Sequence, residues 1–168
     1  LVQMAKMAGA YVYTTVSTEE KAAVAKEAGA DEAILYTKVD FEQEIKKATN
    51  GRGVDAVYDA VGKTTFEQSC RSVARRGCMV LYGASSGPVD NMTMDMLRNQ
   101  SMYFTWASLN DYAADREELD WRAGEVYGWI ASGALKVHIG GTFHLSEVSE
   151  AHRLLEDRLS IGKLLLIP

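Results

Sequence analysis

The sequence predicts an α/β fold built on an open, doubly wound parallel sheet. Two observations carry the prediction. Short β-branched or aromatic runs alternate with helical stretches through the first half of the chain. Gly9, Gly29, Gly53 and Gly77 punctuate that rhythm at separations of 20, 24 and 24 residues, enough for one helix plus one strand each. Strand–helix–strand order implies parallel pairing with right-handed crossovers. The units share little sequence and their spacing is irregular, so a solenoid repeat is excluded.

The elements follow in order. Leu1, Met4, Ala5 and Ala8 form a helical stripe that stops at Gly9. The stripe runs from the first residue without an N-cap, so the chain reads as a fragment of a longer protein that begins inside a helix. Ala10–Val16 is a strand, and Ser17 to Glu20 has the pattern of a capping box for a helix reaching Ala28. Ala33–Tyr36 is a second strand. Phe41, Ile45 and Ala48 mark the inner face of a helix over about 40–49, closed by Asn50-Gly51. Val54–Tyr58 is the third strand, Thr64–Val73 a helix and Cys78–Tyr82 the fourth strand.

Beyond Ser86 the rhythm changes. Gly87-Pro88 turns the chain, Met92–Asn99 reads as a short helix, and Met102–Trp106 as a strand. A long helix over Asp115–Ser132 follows. Short strands are expected around Gly140-Gly141, a helix over Ser146–Asp157 and a terminal strand over Lys163–Ile167.

Composition narrows the function. Apolar residues make up 47% and charged residues 24%, as in an ordinary folded domain. Lys and Arg total 18 against 23 Asp and Glu, net −5, which argues against a nucleic-acid or anionic-membrane partner. No apolar run is long enough to span a bilayer, and no signal segment opens the chain, so the expected location is the cytoplasm. Cys70 and Cys78 cannot form a disulfide framework or a structural zinc site. They read as buried small hydrophobes, and His138, His144 and His152 lack metal-ligand spacing. Lys46-Lys47 and Arg75-Arg76 read as solvated helix ends. Met92, Met94, Met96 and Met102 read as core or interface fillers.

In open parallel sheets ligands bind outside the carboxyl ends of the strands. That rim would hold Ser17, Tyr36, Asp59–Gly62 and Tyr82–Ser86. A dinucleotide also needs a glycine-rich phosphate turn after the first strand. None is present, since Gly51-Arg52-Gly53 enters a strand instead of leaving one. At the end of strand 10–16 stand Ser17, Thr18 and Lys21, with Tyr36 at the same edge. Hydroxyls and a lysine suit the 2′-phosphate of NADP better than the bare ribose of NAD. A capped helix with one solvated lysine stays an open alternative on these residues. Asp59 is equally readable as a turn acceptor, Tyr36 as a strand cap and Trp106 as packing.

Thr15-Val-Ser-Thr-Glu-Glu-Lys21, Ala28-Gly-Ala-Asp31, Gly51-Arg-Gly-Val-Asp55, Val57-Tyr-Asp-Ala-Val-Gly62, Arg76-Gly77, Gly133-Ala-Leu-Lys136 and Gly162-Lys-Leu-Leu-Leu-Ile-Pro168 occur in order. Together they resemble the zinc-free quinone oxidoreductases, the zeta-crystallin-like branch of the medium-chain dehydrogenase/reductase superfamily. The resemblance implies a truncated Rossmann domain over 1–106, lacking its first strand and glycine-rich loop. Residues 107–168 would be the C-terminal segment returning to the catalytic domain.

It also implies site roles. Ser17, Lys21 and Tyr36 would surround the NADP 2′-phosphate and adenosine, and Val61 the adenine-ribose side. Tyr82, Gly83, Ala84 and Ser85 would lie beneath the nicotinamide and its ribose. Thr105 and Trp106 would approach the carboxamide, and Arg158 would reach back to a phosphate or simply satisfy helix-end carbonyls. Trp106-Ala107 stands where the family often has Arg-Pro, and Ala84 replaces a commonly polar residue. The implied activity is hydride transfer from NADPH to a quinone or conjugated enone or carbonyl acceptor, without zinc, in a homodimer. No catalytic residue is assigned within this chain, and the fragment alone is expected to be inactive. The alternatives are an enoyl reductase acting on acyl thioesters and a non-catalytic NADP-binding or structural protein.

Overall fold

A computed structural model describes residues 1–168 except 91 and 158. The expected alternation is present. Helix α1 (Val2–Met7) leads to β1 (Tyr13–Val16), α2 (Glu19–Glu27) to β2 (Glu32–Leu35), and α3 (Phe41–Ala48) to β3 (Val54–Asp59). Then come α4 (Phe66–Ser72), β4 (Val73–Leu81), α5 (Met94–Arg98), a 3₁₀ turn (Asn99–Ser101) and β5 (Tyr103–Trp106). The remainder holds α6 (Leu109–Tyr112), α7 (Arg116–Ala131), β6 (Ile139–His144), a 3₁₀ turn (Leu145–Glu147), α8 (Val148–Glu156) and β7 (Lys163–Ile167).

All strand pairs among the described residues are parallel. β1 pairs with β2, β3 with β4, β4 with β5, and β6 with β7. Among the described residues the strands form three sheets in the orders β1-β2, β3-β4-β5 and β6-β7. β1 and β3 therefore each present an open edge among the described residues. A cleft of about 760 Å³ lies between them, lined by Tyr13 and Thr15 on one side and Ala56 and Tyr58 on the other. In a parallel sheet covered on both faces a strand like β3 is buried; here Tyr58 is 53% exposed.

The core sits on the β3-β4-β5 sheet. Phe66, Cys70, Val73, Met79, Leu81 and Met102 are buried together, with Val57, Met96 and Phe104 packed against them. Phe66 meets Phe104 edge-on, with ring centroids 5.9 Å apart and an interplanar angle of 89°. Such a pair adds about 0.5–1.5 kcal/mol beyond its area. Met102 and Met96 fill core positions, whereas Met94 is exposed.

Several local expectations are corrected. The cap of α2 is Thr18, whose hydroxyl accepts from the Lys21 N–H, so Ser17 stays outside the helix. Asp40 and Asp115 cap α3 and α7 in the same way. α4 ends one residue early because Val73 is extended and pairs with Val54. Arg75 and Arg76 are in β4 and not at a helix end. Val54 pairs with Val73 but Ala56 with Cys78, so the intervening residues bulge, with Arg76 at φ 61°. Cys70 is buried as expected, but Cys78 is only partly so.

Candidate cofactor-binding rim

The carboxyl ends of the strands form two corners, one on each side of the β1–β3 cleft. At the first corner, the Tyr36 N–H donates to the Val16 carbonyl (3.2 Å), and the Thr37 hydroxyl donates to the Ser17 carbonyl (3.0 Å). These bonds put Ser17 and Tyr36 at adjacent strand ends. Lys21 stands in the first turn of α2, where its N–H donates to the Thr18 hydroxyl. Lys38 reaches the same corner, where it pairs with Glu19 at 2.7 Å. Sequence reasoning missed Lys38; it lies two residues beyond Tyr36, and only the pairing of β1 with β2 brings it to α2.

The second corner is made from two turns. After β3, Ala60, Val61 and Gly62 reverse the chain into α4. After β4, Tyr82–Ser86 form a second turn beside the first. The Tyr82 N–H donates to the Asp59 carbonyl (2.9 Å), that of Ser85 to Ala60 (3.2 Å) and that of Ser86 to Val61 (2.8 Å). The Ser86 hydroxyl also donates to the Val61 carbonyl (2.7 Å) and accepts from the Thr64 N–H (3.1 Å). The approach is too close for side chains at two positions. A Cβ on Gly83 would lie 2.7 Å from the Ala60 oxygen, and one on Gly62, at φ +83°, would lie 2.8 Å from the Gly87 oxygen.

The end of β5 joins this corner. Thr105 pairs with Val80 and Trp106 with Leu81, and the Ala107 N–H donates to the Leu81 carbonyl (2.8 Å). Trp106 is exposed. Tyr82 is half-exposed; its hydroxyl is raised above the ordinary tyrosine range by desolvation and then by the charge of Asp59. The fold thus gathers Ser17, Lys21 and Tyr36 at one corner and Val61, Tyr82–Ser85, Thr105 and Trp106 at the other. Arg158 lies outside the described residues.

Asp59 is a turn acceptor, one of the readings open from the sequence. Its carboxylate is 4% exposed and accepts from the Val61 and Gly62 amides and the Thr65 and Ser69 hydroxyls, at 2.7–3.0 Å. Among the described residues, no cluster of three or more His, Cys, Asp or Glu is arranged to hold a metal ion. The Cys70 thiol is pushed up to about 11, chiefly by burial and then by Asp59, which disfavours the thiolate a metal would need. No helix among the described residues is long and apolar enough to cross a membrane.

Residues 1–121 match the family model described as zinc-binding dehydrogenase. The chain belongs to that family. Quinone oxidoreductase 1 of Escherichia coli is 40% identical over 169 residues, covering 99% of this chain and 52% of the relative. A 2-haloacrylate reductase of a Burkholderia species is 35% identical, covering 100% of this chain and 51% of the relative. The chain therefore spans about half the length of these curated relatives. Among solved structures, the NADPH complex of the Escherichia coli quinone oxidoreductase superposes with a TM-score of 0.93 at 40% identity, over 99% of this chain and 52% of that one. A mycobacterial protein, also complexed with NADPH, superposes with a TM-score of 0.93 at 42% identity, over 100% of this chain and 53% of that one. The parallel-sheet architecture is thus the Rossmann-like one of these dehydrogenase relatives.

Proposed function

We propose that this chain forms the NADPH-holding portion of an oxidoreductase that passes hydride to a quinone or a conjugated enone or carbonyl acceptor, without zinc. The observation that carries the reading is the two-cornered rim. Ser17, Tyr36 and Lys21 gather on one side of the cleft, and the Val61 and Tyr82–Ser85 turns on the other. Their chemistry fits the group. Hydroxyls and ammonium groups suit an anionic 2′-phosphate, and the glycine-bearing turns keep strand-end backbone close to the rim. Bound there, the nicotinamide would supply the hydride, and the chain would supply binding, orientation and exclusion of water.

Residue roles follow from position. Ser17, Lys21 and Tyr36 would hold the phosphorylated adenosine and Val61 its ribose side. Tyr82, Gly83, Ala84 and Ser85 would support the nicotinamide ribose, and Thr105 and Trp106 would border the carboxamide. The NADPH complexes of relatives support the cofactor. The quinone oxidoreductase and 2-haloacrylate reductase relatives support an acceptor with a double bond conjugated to a carbonyl or carboxyl group.

Parallel NADPH and NADH titrations of the full-length protein, with NADPH oxidation followed against a quinone and an enoyl thioester, test the reading. Tighter NADPH binding and saturable quinone-dependent oxidation are expected. Preference for the thioester would make it an enoyl reductase, and binding without turnover a non-catalytic NADP protein. A homodimer across β5 belongs to the same proposal. β5 is the outer strand of its sheet, and Tyr103 and Trp106 are both exposed on it. Sedimentation of the full-length protein as one protomer would count against it.

A further inference from the structure

We propose that Asp59 is the positioning residue of the rim, orienting the two peptide groups between Ala60 and Gly62 and, through them, the Tyr82–Ser86 loop. The proposal rests on the NADPH reading for its consequence, but its geometry stands alone.

A carboxylate has acceptor sites and no donors, with room for about four hydrogen bonds. Asp59 fills them with two amides and two hydroxyls. One oxygen takes the N–H groups of Val61 (2.7 Å) and Gly62 (3.0 Å), and the other takes the hydroxyls of Thr65 (2.8 Å) and Ser69 (2.7 Å). One hydroxyl comes from Thr65, which precedes α4, and the other from Ser69 in the middle of α4, so the carboxylate is aimed by a helix anchored in the core through Phe66 and Cys70.

The two amides belong to consecutive peptide planes, and each plane is also held at its carbonyl. The plane joining Ala60 to Val61 accepts from the Ser85 N–H, and the plane joining Val61 to Gly62 accepts from the N–H and hydroxyl of Ser86. Each peptide is thus gripped at both ends, by Asp59 on one side and the 82–86 loop on the other. Rotating either plane breaks bonds at both ends, and linked bonds of this kind polarise one another. Asp59 therefore sets the direction of the Ala60 and Val61 carbonyls, and these carbonyls set where Ser85 and Ser86 sit. A turn that only needed to reverse the chain would require neither the buried carboxylate nor the second set of bonds.

Asp59→Ala and Asp59→Asn separate position from charge. The asparagine keeps one oxygen for the turn amides, and the Thr65 and Ser69 hydroxyls can rotate to accept from its NH₂. Two readouts are needed. The first is amide hydrogen exchange at Val61, Gly62, Ser85 and Ser86 without cofactor. The second is the KM for NADPH and kcat of the full-length protein. Asp59→Ala is expected to speed exchange at all four amides at least tenfold and to raise the KM at least tenfold, with kcat within about threefold. Asp59→Asn is expected to restore both to within about threefold of the parent.

An Asp59→Ala protein with unchanged KM and protected amides overturns the proposal. So does an asparagine variant as impaired as the alanine one, which would assign the effect to charge. If Asp59→Ala does not fold, the pair Thr65→Val with Ser69→Ala withdraws the aiming hydroxyls instead. It is expected to raise exchange at Val61 and Gly62 at least threefold, and unchanged exchange overturns the proposal. A parent protein that ignores NADPH would sink the cofactor reading, while the exchange measurements would still decide the role of Asp59.

Discussion

Gln3 and Lys136 hold each other by a reciprocal pair of hydrogen bonds. The Gln3 side-chain amide donates to the Lys136 carbonyl and its oxygen accepts from the Lys136 N–H, both at 2.8 Å. The side-chain amide copies the pairing of a peptide group and ties α1 to the segment before β6. Gln3→Ala should abolish protection of the Lys136 amide, read by hydrogen exchange, and lower stability by about 0.5–1.5 kcal/mol in urea titration.

On the proposed NADPH reading, Ser17 would occupy the strand-end position where a carboxylate selects the unphosphorylated ribose. Ser17→Asp should shift cofactor preference from NADPH towards NADH at least tenfold, since the new charge repels a 2′-phosphate and accepts from ribose hydroxyls. Parallel titration with both cofactors checks it.

Met79 is fully buried at the centre of the core. Met79→Ala leaves a cavity that the surrounding side chains only partly close, and should cost about 2–5 kcal/mol. The chemical-denaturation midpoint at fixed pH reports it.

Cys70 titrates at about 11 in the fold against an ordinary 9.0, because burial disfavours its thiolate. The folded state binds the proton more tightly than the unfolded chain. Its stabilising contribution is therefore complete below about pH 9 and is lost as pH rises towards 11. Cys70→Ala should flatten that alkaline loss in urea titrations. At pH 8, maleimide should leave Cys70 unlabelled until denaturant is added.

β1 carries no charged side chain or proline, and β3 has only Asp55 as an exposed charge, so both edges are weakly protected. The isolated 168-residue chain should therefore self-associate as its concentration rises. Tyr58→Lys, which places a charge beside the cleft, should shift sedimentation towards smaller species.

How much of this was legible in the sequence depends on the range of the interaction involved. Strand and helix identities follow from local periodicity, so β1, β3 and the long α7 are readable within a few residues. Parallel order then places Ser17, Tyr36, Asp59 and Tyr82 on one rim before any coordinate is known. Ser17 against Thr18 as the cap was not readable, because both hydroxyls suit the position and the path of β1 chooses between them. Arg75 and Arg76 look like a helix end until the pairing of Val54 with Val73 draws them into β4.

The amino-acid order by itself determined the parallel architecture and the residue types offered at the strand ends, since both rest on periods of two and 3.6 residues and on turn chemistry. Only the tertiary structure decided that Lys38 faces Glu19, that Thr65 and Ser69 complete the four bonds of Asp59, and that β1 and β3 stand apart. These relationships join residues on different elements, and the energy that selects them comes from burial and hydrogen bonding across elements, which no local pattern encodes.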